Sequence, residues 1–143
     1  VARFRSSFRT SAGSSTLPIA SLYAPAGGSV YLREIWVTNT TATDVGIRVI
    51  RLTTTGTQGA AQTVAEDEDG SVAATASPRT THSVAPTTAD EIGRITIGAA
   101  IGGGAILPFG ERGIRIPAGT SNGIGLLPVG TGQVCDVTLV WDE

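Results

Sequence analysis

One histidine, one cysteine, a run of four carboxylates and a cluster of glycines have the residue types that chemistry needs. His82 sits in RTTHSVAPTT, with Ser77, Thr80, Thr81 and Ser83 close by in sequence. A hydrolytic site would require one such hydroxyl as nucleophile, His82 as base and an acid to orient the ring. No GxSxG elbow frames a nucleophile, so His82 reads as a loop or edge-strand residue. Cys135 would need a partner base, and His82 would have to reach it from a distant loop. Its position in an alternating strand instead suits a buried small hydrophobe.

The run Glu66, Asp67, Glu68, Asp69 offers hard oxygen ligands followed by Gly70, the raw material of a calcium loop. Its spacing does not match the alternating ligands of an EF-hand, and a self-repelling acidic run belongs in solvent. Gly102–Gly104 lack the lysine of a phosphate loop. The chain contains no lysine at all, and no amphipathic helix follows to build a dinucleotide site. These glycines read as a tight bend. Asp44, Asp90, Glu91, Glu111 and Asp136 remain as carboxylates for glycoside chemistry, which needs a pair at a set separation. The sequence brings no pair together. No cofactor and no metal is implied.

The surface these residues sit on is unusual in its chemistry. Only 15% of the 143 residues are charged, against an ordinary ~25%. Thr, Ser, Ala and 19 Gly take up the difference, so hydroxyls supply much of the polarity. Hydroxyls need only a modest replacement hydrogen bond when desolvated, which suits a protein that sits against others. A net charge of -2 provides no global basic field for nucleic acid. No apolar stretch is long enough for a membrane helix. A single cysteine excludes an intrachain disulfide. The chain opens at Val1, as after initiator-methionine removal or an upstream cleavage, and no signal-peptide pattern is legible.

Strands must position whatever this protein uses. The stretch 27–56 holds two runs rich in β-branched and aromatic residues, 29–38 and 45–55, around the connector NTTATD. Both slip phase midway. Val30 and Leu32 share one face while Ile35 and Val37 take the other, so either both faces meet apolar partners or a bulge falls near Arg33–Glu34. Val45, Ile47 and Val49 are in phase before Ile50 and Leu52 change face. A strand is expected over 16–24 with a bulge near Ala20–Ser21, and others at 62–65, 91–97 and 123–128. GAAIGGGAILP at 98–108 reads as a glycine loop leading into a short apolar run, and Ile114 and Ile116 share a phase. Residues 72–76 suit helix or strand. The last strand alternates cleanly: Cys135, Val137, Leu139 and Trp141 face one way, Asp136, Thr138, Val140 and Asp142 the other. Residues 1–15 give no clean period and read as an irregular N-terminal arm, leaving 16–143 as the folded domain.

About eight strands, turns rich in Gly and Pro and no secure helix predict an all-β, antiparallel β-sandwich of jelly-roll type. An immunoglobulin-like topology is the alternative, without that fold's Cys…Trp…Cys hallmark. GIRIPAG at 113–119, an apolar strand and QVCDVTLVWDE at 133–143 together resemble the terminal strands of small jelly-roll virion proteins. GSVYLREIWVTNTT from Gly28 is similar to an early strand of the same domains. The group is the head-decoration, or cement, proteins of tailed bacteriophages. Pro-Ala-Gly turns also occur in receptor-binding tips, TNF-like domains and cupin-like barrels; a cupin would bring metal-binding histidines, and this chain has one His.

That resemblance implies a structural role without catalysis. The protein would be a homotrimer on the capsid surface, bound to the major capsid protein at subunit junctions. The arm would reach a neighbouring subunit, with Phe4 and Phe8 as apolar anchors and Arg5 and Arg9 pairing with its carboxylates. The alternative is a carbohydrate- or receptor-binding module of a tail or fibre, in which Trp36, Trp141, Tyr23 and Tyr31 stack on sugars if exposed. Their strand positions favour the core.

Overall fold

The alternating last strand, β11 (Cys135–Asp142), is central to the first of two antiparallel sheets. Cys135, Val137, Leu139 and Trp141 are all buried in the main core, as their phase requires. A computed structural model describes residues 2–70 and 72–143. On one side of β11 runs β1 (Arg3–Arg9), and on the other β3 (Val30–Asn39). Beyond β1 lies β5 (Ala65–Glu66). Beyond β3 lie β8 (Gly104–Pro108) and β9 (Ile114–Ile116), which pair with successive parts of it. The second sheet has the order β6 (Ser77–Arg79), β2 (Ala20–Tyr23), β10 (Gly123–Pro128), β4 (Val45–Leu52) and β7 (Thr88–Ile97). Apolar side chains from both sheets form one core cluster between them.

The phase slip in β3 is a real feature of the backbone. Opposite β11, Glu34 pairs with Val140 and Leu32 with Trp141, so Arg33 is the extra residue. This bulge lets Val30, Leu32, Ile35 and Val37 all face the core. β4 itself alternates strictly and pairs with β10 without a shift. Against β7 the register shifts at Val49/Ile50 and again before Leu52, because the extra residues, Ile92 first, lie on β7. Val45, Ile47 and Val49 stay in the main core, while Ile50 and Leu52 join Tyr23 and Leu127 in a second cluster. The slip expected near Ala20–Ser21 has another cause. The strand begins only at Ala20, and Ile19 enters the core from the loop before it, after Pro18. Residues 72–76 take neither helix nor strand, and the short strand expected at 62–65 falls at 65–66.

The expectation of an irregular arm is corrected for residues 3–9. They form a strand that pairs residue for residue with β11, from Arg3↔Asp142 to Arg9↔Asp136. Phe4, Ser6 and Phe8 alternate with Arg3, Arg5, Ser7 and Arg9. Phe4 is buried with its ring centroid 6.1 Å from that of Trp141, and Phe8 packs against the same core. Ser6, also buried, donates to the Thr63 carbonyl at 2.8 Å, which satisfies a hydroxyl where an apolar side chain would be expected.

The turns at one end converge on Asn39. Its side-chain amide donates to the carbonyls of Thr43 and Gly98, and its Oδ1 accepts from Thr41. Its backbone pairs with Gly102 and Gly103. The glycine cluster is thus the bend it was expected to be. Gly102 has φ of +87°, and a Cβ on Gly104 would lie 2.5 Å from the Val37 carbonyl oxygen.

Replacing Phe4 by Ala is expected to cost about 3–5 kcal/mol in urea unfolding, the range for large aromatic truncations in a core. Replacing the half-buried Phe8 costs less. Equal, small losses for both would show that β1 does not belong to the core.

Candidate functional surface

The outward residues of β1, β11, β3 and β8 form a polar face organised by ion pairs. Arg3 meets Asp142 at 2.7 Å, Arg5 meets Asp67 at 2.6 Å and Arg9 meets Asp136 at 2.8 Å, each through two guanidinium nitrogens. Arg33, the bulged residue, lies 3.6 Å from Asp142 on its other side. The hydrogen bond from Arg5 holds the Asp67 carboxyl below its usual range, and that from Arg9 does the same for Asp136. Solvent screens pairs on a partly exposed face, so they add little to stability. Their main effect is to fix β1 on the sheet.

Trp36 occupies the middle of this face. Its row across the sheet is Ser7, Thr138, Trp36, Ile106. The indole Nε1 donates to Glu34 at 2.8 Å, and the Arg5 guanidinium carbon lies 5.7 Å from the ring centroid. Beside it, a cleft of about 340 Å³ is lined by Arg3, Arg5, Arg33, Glu34, Glu111 and Val140. The core expectation therefore fails for Trp36 and also for Tyr31, which is 37% exposed. It holds for Trp141 and Tyr23, both fully buried. In β3 the bulge at Arg33 sends Ile35 and Val37 inward, and Trp36, between them, is left on the outer face.

The four residues expected as interface anchors are all engaged within the chain. Phe4 and Phe8 face the chain's own core, and Arg5 and Arg9 pair with its own carboxylates. Asp67, the second of the acidic run, is held by Arg5, and its backbone N–H donates to the Arg3 carbonyl. Among the described residues, no three His, Cys, Asp or Glu side chains converge as metal ligands.

His82 does find a serine, though not one of its sequence neighbours. Ser21 Oγ on β2 lies 2.8 Å from His82 Nε2, and both residues are buried. The Thr55 backbone lies near the ring, but Nδ1 makes no hydrogen bond of good geometry, and among the described residues no acid orients the ring. The pair is closed to substrate. It serves instead as a latch, because His82 belongs to the long 53–87 connection, which crosses over Tyr23. The Tyr23 hydroxyl donates to the Thr54 carbonyl at 2.8 Å, and the Tyr23 and His82 rings lie 6.1 Å apart. Ser21 carried no sequence signal, since only the strand pairing brings it to His82. Cys135 is buried too, and burial with the nearby Asp136 charge pushes its thiol up to about 11, away from the nucleophilic thiolate.

No protein-family model matches the chain, and no curated protein matches it. Among solved structures, it is similar to the virus-like particle of the extra small virus of the giant freshwater prawn Macrobrachium rosenbergii at 11% identity and a TM-score of 0.20. That alignment covers 100% of this chain and 81% of the other. A likeness at this level carries no argument about fold or function.

Burial pushes the His82 imidazole below its ordinary value of 6.5, with Arg79 adding to the effect and the Thr55 backbone opposing it. The unfolded chain therefore takes up a proton that the folded chain refuses. Stability is complete above pH 6.5 and falls as pH drops below it, towards the lower folded value. The paired carboxylates Asp67 and Asp136 lose their contribution in a separate, more acidic window, below their ordinary 3.8. The urea midpoint should fall between pH 6.5 and 5, and His82→Gln should flatten that slope. An unchanged slope would exclude the latch.

Proposed function

We propose that this chain is a capsid decoration protein, a virion structural component that stabilises a shell by binding at capsid subunit junctions as a homotrimer. The observation that carries the reading is the strand order. Eight strands have four or more residues, namely β1, β2, β3, β4, β7, β8, β10 and β11. Numbered one to eight, they run 1-8-3-6 in one sheet and 2-7-4-5 in the other. Every connection but the fourth crosses from sheet to sheet, which supports a jelly roll. The step from that fold to a capsid is an analogy at the level of architecture.

The two flanks of the sandwich support the assembly reading. The edges of β1 and β2 are covered by β5 and β6 from the 53–87 connection. The edges of β7, β8 and β9 have no strand beyond them among the described residues. The β7–β8 turn and β8 present Ile101 and Ile106, 76% and 59% exposed. This reading places contact between subunits on that flank, since β1 is engaged in its own sheet. The major capsid protein would then meet a face away from it.

Recognition of carbohydrate is the second reading, favoured by the surface position of Trp36 and Tyr31. Arg5 over the Trp36 ring and Glu34 on its indole nitrogen oppose it, because they occupy groups that a stacked sugar would use.

Light scattering should give three times the mass of one chain, and the protein should co-sediment with empty phage heads. Ile106→Glu should reduce the mass to one chain while leaving the unfolding free energy of that chain within about 0.5 kcal/mol, as for other surface changes. A monomer at every concentration, with no affinity for heads, contradicts the proposal. Glycan-array binding lost in Trp36→Ala would transfer support to the second reading.

A further inference from the structure

We propose that the cleft between β4 and β9 binds a phosphate or carboxylate group through Arg51 and Arg115. The cleft has a volume of about 350 Å³ and lies where the two sheets part, lined by Arg51 and Thr53 from one sheet's end and by Arg115, Pro117 and Asn122 from the other side. None of its lining residues belongs to β1 or to the arginine–carboxylate ladder.

All ten basic residues of the chain are arginines. Five of them, Arg3, Arg5, Arg9, Arg33 and Arg94, lie within 4.0 Å of a carboxylate. Among the described residues Arg51 and Arg115 have no such carboxylate, and they line the same cleft. Each is instead oriented by a neutral acceptor. Arg51 donates one terminal nitrogen to the Arg115 backbone carbonyl at 2.8 Å. Arg115 donates Nε and one terminal nitrogen to the Ser29 hydroxyl at 3.2 and 3.0 Å. A neutral acceptor fixes the guanidinium plane without cancelling its charge.

The unused donors define the ligand. Arg51 retains Nε and its second terminal nitrogen, and Arg115 retains its other terminal nitrogen. Two guanidinium groups lining one cleft, neither paired with a carboxylate, favour an anion there. A planar or tetrahedral oxyanion accepts several such bonds at once, whereas chloride offers no fixed directions. Asn122 adds a polar group of a different kind. Its amide nitrogen is spent on the Pro117 and Ala118 carbonyls, and its Oδ1, which has no partner, can accept from a hydroxyl on the ligand.

This inference stands independently of the capsid reading. Its test is titration of the full chain with inorganic phosphate, and separately with acetate, at ionic strength held constant with chloride. Arginine Nε–H and Asn122 resonances are followed by NMR. The proposal expects saturable shifts of Arg51, Arg115 and Asn122, with an affinity weakened roughly tenfold or more in Arg51→Gln or Arg115→Gln, as loss of a charge-assisted hydrogen bond implies. Arg115→Lys, which keeps the charge and loses the fork, should also weaken binding. Arg9→Gln, which makes the same change in net charge elsewhere, should not. Saturation by phosphate alone assigns a phosphorylated ligand, and saturation by both anions a general oxyanion site. Shifts that do not saturate, or an equal loss in Arg9→Gln, overturn the proposal.

Discussion

The pairing of the first strand with the last is the constraint on which this fold depends. β11 is the central strand of its sheet, and it carries Trp141, the largest of the fully buried side chains. One side of β11 is completed by β3. The other is completed only by residues 3–9. Phe4 packs on Trp141 inside, while Arg3 and Arg9 meet Asp142 and Asp136 outside. Closing a contact across nearly the whole chain costs loop entropy, which rises only slowly with length. Core burial of Phe4 and Trp141 offsets much of it, and the ion pairs set the register.

Once β1 is in place, other features follow. Its outer arginines hold Asp67 and so fix β5 along the sheet edge. Arg5 lies over Trp36, and Ser6 satisfies the Thr63 carbonyl. The 53–87 connection is thereby drawn past β1, and its later part is held on the second sheet by Ser21, His82 and Tyr23. The sandwich ends with one flank closed and one open. That asymmetry, with the exposed Ile101 and Ile106, motivates the assembly reading more than any single residue does.

Strong local alternation was legible in the sequence. The β11 pattern places Cys135, Val137, Leu139 and Trp141 in the main core correctly, but does not foresee that Val140 on the other face is buried too. The phase change in β3 marks its bulge, because a bulge must shift the period-two pattern of burial, whereas that in β4 marks a strand with apolar clusters on both faces. β1 was obscured by its own chemistry. Its core face reads Phe, Ser, Phe, and the buried serine breaks the apolar signal that periodicity relies on. β6 carries Pro78 and is only three residues long, and β9 is equally short, so neither has enough pattern to stand out. The site was less legible still. Trp36 could be placed on a face only once Arg33 was known to be the bulged residue, and the Ser21–His82 pair depends on contacts between distant segments. Likewise, the sequence suggests carboxylates of a neighbouring subunit for Arg5 and Arg9, whereas the carboxylates they meet, Asp67 and Asp136, lie far along the same chain.

Native-state hydrogen exchange of the β1 amides tests this account most directly. Strands that belong to the cooperative core open only with global unfolding, whereas fraying termini exchange at almost no free-energy cost. The amides of β1 that bond to β11 should exchange as slowly as those joining β11 to β3, and with the same dependence on denaturant. Fast, denaturant-independent exchange over residues 3–9, with β11 still protected, would show that the first strand is an arm laid on a finished fold and would contradict the account.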